Sequence, residues 1–348
     1  MSPINTPNDV PEPGDPCFFR VDTSDSHYNV SFEITNTCNF QCTHCFNESH
    51  SEGFGGPDRA NLLQLIRELG HSGAKNVYLT GGEPTRYRWF ADALQEFANQ
   101  GIEVILATNG YDLDRATDLI LTYVSRRLGV FVSIDGLAER HDTVRNKQGA
   151  FERTLANIES LLEQGMPVRV STVVTEESLA ELAPLLALLQ RTGVAQVNLT
   201  SPVGIGRAKP FGVASGPESL RIAQAVQVIG SQFDSPEFRV VVKRSLPLQR
   251  SAPPCQAGTG MMHIDCRTVV HPCSWVAKAG LNQFSRQWEP GTMAECIATV
   301  RGFQKLVDDR IARFGCSGCP AMAKIARGSA LAEDPIFAWS LAEGGAAS

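Results

Sequence analysis

Three observations predict an α/β protein built on a parallel sheet. Strand-like and helical segments alternate six times between residues 28 and 210. Short polar motifs with glycines recur just after the strands. The chain, at 348 residues and 43% hydrophobic composition, suffices for one large domain of about 200 to 250 residues and a smaller one. A doubly wound sheet and a full or partial barrel both satisfy this pattern, and in either one function gathers at the carboxyl ends of the strands.

The elements follow from local period. "YNVSFEIT" (28–35) reads as a strand, and the helical apolar period over 58–72 stops at Gly73. "NVYLT" (76–80), a helix over 88–99, "EVILAT" (103–108), a helix over 112–127 and "VFVSID" (130–135) continue the alternation. A helix over 150–164, "VRVSTVV" (168–174), a helix over 177–191 and "QVNLT" (196–200) complete it. The Gly- and Pro-rich connector "TSPVGIGRAKPFG" (200–212) leads to a helix over 216–233 and a strand at "FRVVVK" (238–243). "MMHID" and "TVVHP" (261–272) read as a β-hairpin, on which His263 and His271 read as surface or packing residues. Residues 1–27 are polar and Pro-rich, without a period, and read as a disordered-looking tail.

Composition excludes several functions. No apolar run approaches the roughly 18 residues of a membrane span, and the N-terminus lacks a signal pattern, so a cytoplasmic protein with no membrane partner is expected. The net charge is −6 and no Lys/Arg block stands out, which argues against nucleic acid. Ten cysteines in a reducing compartment read as metal ligands rather than a disulfide framework.

"TCNFQCTHCFN" (37–47) places Cys38, Cys42 and Cys45 in a CxxxCxxC spacing directly after the first strand. Three thiolates cannot close a structural zinc site, which wants four ligands. They can hold three irons of a [4Fe–4S] cube and leave the fourth open, which makes a catalytic site. "TGGEP" (80–84), "TNG" (108–110) and "SIDG" (133–136) end the next three strands. Singly these are ordinary turns and caps; paired glycines also expose backbone to a ligand lying against them.

In this order the motifs resemble the radical S-adenosylmethionine (SAM) superfamily from about residue 28 to 210. The resemblance implies a partial (β/α)6 TIM-type barrel over 28–212, with Cys38, Cys42 and Cys45 ligating a [4Fe–4S] cluster whose open iron is chelated by SAM. It implies that His44 lies near the adenine and that Gly81, Gly82, Glu83 and Pro84 receive the methionine amino group. Ser133 and Asp135, with Asn109 in the same shell, match positions that contact ribose or carboxylate, and Arg145 matches a contact to the SAM carboxylate. The activity implied is reductive cleavage of SAM to a 5′-deoxyadenosyl radical that abstracts hydrogen, with flavodoxin or ferredoxin as electron donor.

A second cysteine group resembles the SPASM/twitch extension, expected over 251–348 after a connecting helix and strand over 213–250. The full SPASM pattern is incomplete, and what remains is Cys255, Cys273, Cys316 and Cys319, enough for one auxiliary [4Fe–4S] cluster. A structural zinc fits the same count, and either Cys266 or Cys296 could replace a named ligand. Cys17 reads as incidental. Arg207, in a segment resembling "P.GRA" of SPASM-type enzymes, reads either as a contact to an anionic part of the substrate or as a surface arginine.

Relatives of this type include peptide maturases, many with a leader-binding domain of about 80 residues, and enzymes of sugars, nucleosides and other metabolites. The short stretch before the first strand leaves no room for such a domain. The expected substrate is therefore a small polar metabolite, sugar- or nucleoside-like, that is oxidised or decarboxylated in a specialised biosynthetic pathway. The alternative is maturation of a ribosomal peptide with a separate leader-binding partner. A scaffold with a vestigial cluster is disfavoured by the intact cysteine triplet. No motif places Cys266 or Cys296 at the barrel mouth, which favours loss of hydrogen or CO₂ over epimerisation.

Overall fold

The computed structural model describes residues 28–212, 217–243, 255–315 and 317–334. The expected N-terminal tail, Cys17 and Cys316 lie outside the described residues. From the N-terminal side, β1 (Tyr28–Glu33), α1 (Arg59–His71), β2 (Ala74–Thr80), α2 (Phe90–Asn99), β3 (Glu103–Thr108), α3 (Thr117–Tyr123) and β4 (Val130–Ser133) alternate. They are followed by α4 (Ala138–Arg145), α5 (Ala150–Glu163), β5 (Val168–Val173), α6 (Leu179–Thr192), β6 (Gln196–Thr200), α7 (Pro217–Phe233) and β7 (Arg239–Val242). The remainder comprises β8 (Met261–Ile264), β9 (Val269–His271), α8 (Ser274–Lys278), β10 (Arg286–Gln287), α9 (Met293–Arg301), α10 (Phe303–Phe314) and α11 (Pro320–Arg327).

Local chemistry accounts for these elements. Asp58 caps α1 by accepting the Asn61 amide at 3.0 Å, and the stripe Leu62, Leu65, Ile66, Leu69 is buried against the sheet. In β1, Val30 and Phe32 join that core while Ser31 lines an interior cavity, the period-2 division of a strand. Helix α3 is shorter than the expected 112–127 at both ends. Its start is held in a turn by Ala116 and Thr117 amides on Leu113 O, and beyond its end Ser125 donates to Val104 O at 2.8 Å, drawing the chain onto β3. Helix α4 was not anticipated: "AERHDTVR" is polar all round, and the side chains it buries are His141 and Arg145.

The strands form one sheet in the order β10-β9-β8-β1-β2-β3-β4-β5-β6-β7. The six expected strands are parallel neighbours, and two more flank them in parallel, β7 beside β6 and β8 beside β1. The fold is thus α/β, a partial barrel whose C-terminal hairpin continues the sheet. In the β1–β8 pair, Ser31 stands beside His263. The helical C-terminal part is fastened to α1 through Glu68, which accepts the Trp288 indole N–H at 3.0 Å and the Gly291 amide at 2.6 Å. Among the described residues no helix is long and apolar enough to cross a membrane.

Candidate active site

The loop after β1 is shaped by its own backbone. Phe40 is buried and meets Tyr111 edge-on at 5.3 Å, in a small apolar cluster with the three cysteines and Ala150. Each of the three sulfurs has an N–H donor. Phe40 N–H donates to Cys38 Sγ at 3.4 Å, Arg145 Nη1 to Cys42 Sγ at 3.6 Å and Ser49 N–H to Cys45 Sγ at 3.4 Å. Such donors favour sulfur that carries negative charge. Burial nevertheless pushes the Cys38 thiol up to about 12 and raises Cys42, so thiolates persist there only against a strong cation.

The glycine pair after β2 is dictated by closeness to this loop. A Cβ at Gly81, whose φ is +154°, would stand 2.4 Å from Thr35 O, and one at Gly82 would stand 2.2 Å from Thr37 O. The Gly82 and Glu83 amides donate to those same carbonyls at 2.7 and 2.9 Å. Glu83 is 1% exposed and works as a latch between strand ends: it accepts the Thr108 hydroxyl at 2.8 Å, the Asn109 amide at 2.8 Å and the Thr85 hydroxyl at 2.7 Å. Burial raises its pKa, partly offset by these donors. Asn109 in turn donates to Asn39 Oδ1 at 2.7 Å, tying the end of β3 to the cysteine loop.

The far wall is charged. Asp135, 1% exposed at the end of β4, accepts Arg145 Nη2 at 2.6 Å and pairs with His44 Nε2 at 2.8 Å, while the Val173 amide donates to its other oxygen at 2.9 Å. Burial works against its charge, but Arg145 and then His44 hold the carboxyl well below the usual range. Arg145 gains correspondingly: burial opposes its charge, and Asp135 and Cys42 more than compensate. The Asp135 amide donates to His141 Nδ1 at 3.2 Å, and burial pushes that imidazole down to about 4, so it is neutral at physiological pH.

Of the twelve residues expected around the cluster and SAM, all except Glu83 and Pro84 line one cavity of about 360 Å³. Glu83 and Pro84 are buried behind it. The same cavity extends past Ser31, Tyr78, Met261, His263 and Trp275. Among the described residues no three His, Cys, Asp or Glu side chains converge tightly enough for a single metal ion. Three thiols spread along one cavity wall fit a polynuclear group instead, and the buried donor set, soft sulfur with N–H support, suits iron–sulfur chemistry.

The second group brings together three of its four expected members around one apolar cluster, Cys255, Cys273 and Cys319, packed with Val276, Phe303 and Val307. Cys273 caps α8 and accepts the Val276 amide at 3.4 Å, Cys319 precedes α11, and the Ser317 hydroxyl accepts the Cys255 amide at 3.0 Å. Burial pushes Cys273 up to about 12 and raises Cys319 well above the ordinary thiol value. Cys296 is fully buried in α9 against the main core, and Cys266 is buried beside Glu33. Neither lines the cavity.

Two readings need correction. Arg207 does not face the cavity: it donates through Nε to Cys42 O at 2.7 Å and through Nη2 to Ser49 O at 2.9 Å, while its amide donates to Cys45 O at 3.0 Å. It clamps the cysteine loop, and Gly206 at φ +59° lets the backbone come close, since a Cβ there would meet Cys45 O and Phe46 O at 2.6 Å. Of the two readings of His263 and His271, the surface one fails and the packing one holds, at 3% and 6% exposure, and His263 also lines the cavity. The alternation in "MMHID", which sends Met261 and His263 to one face, was the available signal.

Comparison with known proteins agrees with this geometry. The family model described as the radical SAM superfamily matches residues 32–189. The "AdoMet-dependent heme synthase" of Methanosarcina barkeri is 28% identical over 336 residues, 88% of this chain and 95% of that protein. The "Antilisterial bacteriocin subtilosin biosynthesis protein AlbA" of Bacillus subtilis is 24% identical over 254 residues, 72% of this chain and 55% of that protein. Among solved structures, anSMEcpe with bound AdoMet and the Cp18Cys peptide superposes with a TM-score of 0.64 at 16% identity, covering 91% of this chain and 95% of that one.

Proposed function

We propose that the chain, which matches the radical SAM superfamily over residues 32–189, is an enzyme with an iron–sulfur cofactor and SAM that removes hydrogen from a small polar metabolite, leading to oxidation or decarboxylation. When bound, the cluster and SAM together supply an electron and an adenosyl group that takes up a hydrogen atom. The protein's own residues do the rest. Cys38, Cys42 and Cys45 would hold the cluster, their sulfurs supported by the Phe40 amide, Arg145 and the Ser49 amide. Gly81, Gly82, Asn109, Ser133 and the His44–Asp135–Arg145 group would orient SAM along the same cavity. Burial of that wall excludes water from the reacting centre. Cys255, Cys273 and Cys319, with Cys316, would hold the auxiliary cluster, and an electron donor such as flavodoxin or ferredoxin would reduce the enzyme. Glu83 and Pro84 would act from behind the cavity, holding the glycine turn.

The observation that carries the reading is the part of the cavity beyond these groups. It presents hydroxyls, aromatic faces and one imidazole, from Ser31, Tyr78, Ser171, Trp275 and His263. The guanidinium on its wall, Arg145, is already paired with Asp135. Such a lining suits a compact, hydroxyl-bearing molecule better than a multiply charged one. Among the described residues no thiol besides the triplet lines the cavity, which favours oxidation or loss of CO₂ over hydrogen return to an inverted centre.

Similarity to the AdoMet-dependent heme synthase, which extends over nearly its whole length, supports a role in the biosynthesis of a small-molecule product. Similarity to AlbA supports peptide maturation as the second reading. The test is anaerobic turnover with dithionite and extract of the native organism. Formation of 5′-deoxyadenosine should be accelerated by a low-mass fraction that survives protease treatment. Protease-sensitive stimulation would establish the peptide reading instead, and S-adenosylhomocysteine as main product would overturn radical chemistry.

A further inference from the structure

Strand β8 brings a second chemical group to the cavity that the SAM and cluster residues do not use. His263 stands beside Ser31 in the β1–β8 register, with Nδ1 3.2 Å from Ser31 Oγ, and both residues line the cavity. Its other nitrogen, Nε2, lies 3.9 Å from Glu33 Oε2, two residues further along β1. The His263 and Glu33 side chains are almost wholly enclosed, at 4% exposure each. Behind His263 stands His271, at 6.0 Å between rings, paired with Asp265 at 3.3 Å. Glu33 faces Lys278 from α8, and Asp265 and Cys266 from the turn between β8 and β9.

Glu33 lies behind the cavity lining, with the His263 imidazole between it and the cavity, and a carboxyl so buried is costly to ionise. We propose that Ser31, His263 and Glu33 form a proton relay that accepts the proton of a substrate O–H. This rests on the metabolite reading above. The substrate hydroxyl donates to Ser31 Oγ, the Ser31 hydroxyl proton passes to His263 Nδ1, and the Nε2 proton passes to the Glu33 carboxylate. Each O–H or N–H bond that breaks leaves its electron pair behind, so the substrate oxygen loses one proton and Glu33 gains one. The step moves protons alone. It fits an alcohol whose carbon has lost a hydrogen atom, because that O–H is far more acidic than an ordinary one. The electron lost afterwards would go to an iron–sulfur cluster as one-electron acceptor. The relay requires the 3.9 Å between Nε2 and Glu33 to shorten to hydrogen-bond distance, as catalytic contacts often tighten on binding.

The protonation states suit the role. Burial pushes Glu33 up to about 7, countered in part by Lys278, and burial pushes His263 down to about 3. At neutral pH the imidazole is therefore neutral and ready to accept, and the carboxyl is near the midpoint of its titration.

Two measurements on Glu33→Gln and His263→Gln decide the matter, with iron content and circular dichroism reporting folding. First, selectively ¹⁵N-histidine-labelled protein is titrated by NMR without substrate. The His263 ring signals should show a step near pH 7 that disappears in Glu33→Gln; a step unchanged in that variant, or none in the parent, overturns the relay. Second, 5′-deoxyadenosine formation is followed with the protease-resistant low-mass fraction. The parent's stimulated rate should rise as pH passes 7, and both variants should fall by about a hundredfold and lose that profile. Variants that keep the parent's rate and profile overturn the proposal. If the fraction fails to stimulate the parent, the metabolite reading fails, and the titration decides the relay alone.

Discussion

Replacing Asp135 by asparagine asks whether the wall of the cavity is held by charge. The carboxylate is 1% exposed and joins Arg145, His44 and the Val173 amide, three partners on two oxygens. Asparagine keeps one acceptor but turns an N–H₂ toward groups that also donate, and it leaves the Arg145 charge, 7% exposed, without its counterion. Breaking one member out of a buried ion pair costs about 3–5 kcal/mol. Set against a typical total of about 5–15 kcal/mol, this is about a fifth or more of the stability. Arg145→Gln should cost a similar amount, because it leaves the buried Asp135 charge with only His44 and the Val173 amide. The double variant should lose less than the sum of the two, by about 0.5–3 kcal/mol. Anaerobic urea unfolding of the metal-free protein at pH 7 measures all three. A loss below about 1 kcal/mol for Asp135→Asn, or strict additivity in the double variant, would refute electrostatic anchoring of this wall. The sign with pH is fixed by the depressed carboxyl: its contribution is present above the ordinary carboxylate range and is lost as pH falls through the lower native value.

Reconstituted protein should hold about eight irons as two cubes, and the triple variant Cys38→Ala, Cys42→Ala, Cys45→Ala about four, by iron assay; a triple variant with undiminished iron contradicts the assignment. Arg207→Ala should release Cys42 O and Ser49 O, at about 1.5–3 kcal/mol for each charged hydrogen bond, and should lower iron retention on gel filtration; Arg207→Lys should not restore it, because one ammonium cannot reproduce the two-pronged geometry. Glu33→Gln should flatten the pH dependence of stability. The native state favours protonated Glu33, so its contribution is full below about pH 4.5 and is lost as pH rises through about 7, a difference of about 3 kcal/mol that unfolding at pH 5 and pH 8.5 would reveal.

Local pattern made the barrel legible and left the C-terminal half largely dark. Apolar alternation in "VFVSID" and the stripe from Leu62 to Leu69 each encode their own element, so no distant partner is needed to read them. The cysteine spacing and the glycine pair were legible because few other chemistries need them. Helix α4 carried no apolar period, since what it buries is His141 and Arg145, whose partners Asp135 and Cys42 come from other strand ends and loops. Arg207 was misjudged for the same reason: its three loop contacts lie more than 150 residues away in the chain. The β8–β1 pairing spans over 230 residues, and nothing within "MMHID" specifies that partner. Without it His263 could not be placed at the cavity.

That pairing also determines what happens when the gene is cut. With β8 gone, the backbone of β1 from Asn29 to Phe32 would lose its neighbour on one side and become an unpaired border of a long parallel sheet. Such a border recruits other chains, and here it would carry the apolar side chains of Val30 and Phe32. A fragment ending near residue 250 should therefore come out of cells as aggregate, and adding the hairpin as a separate peptide should rescue it.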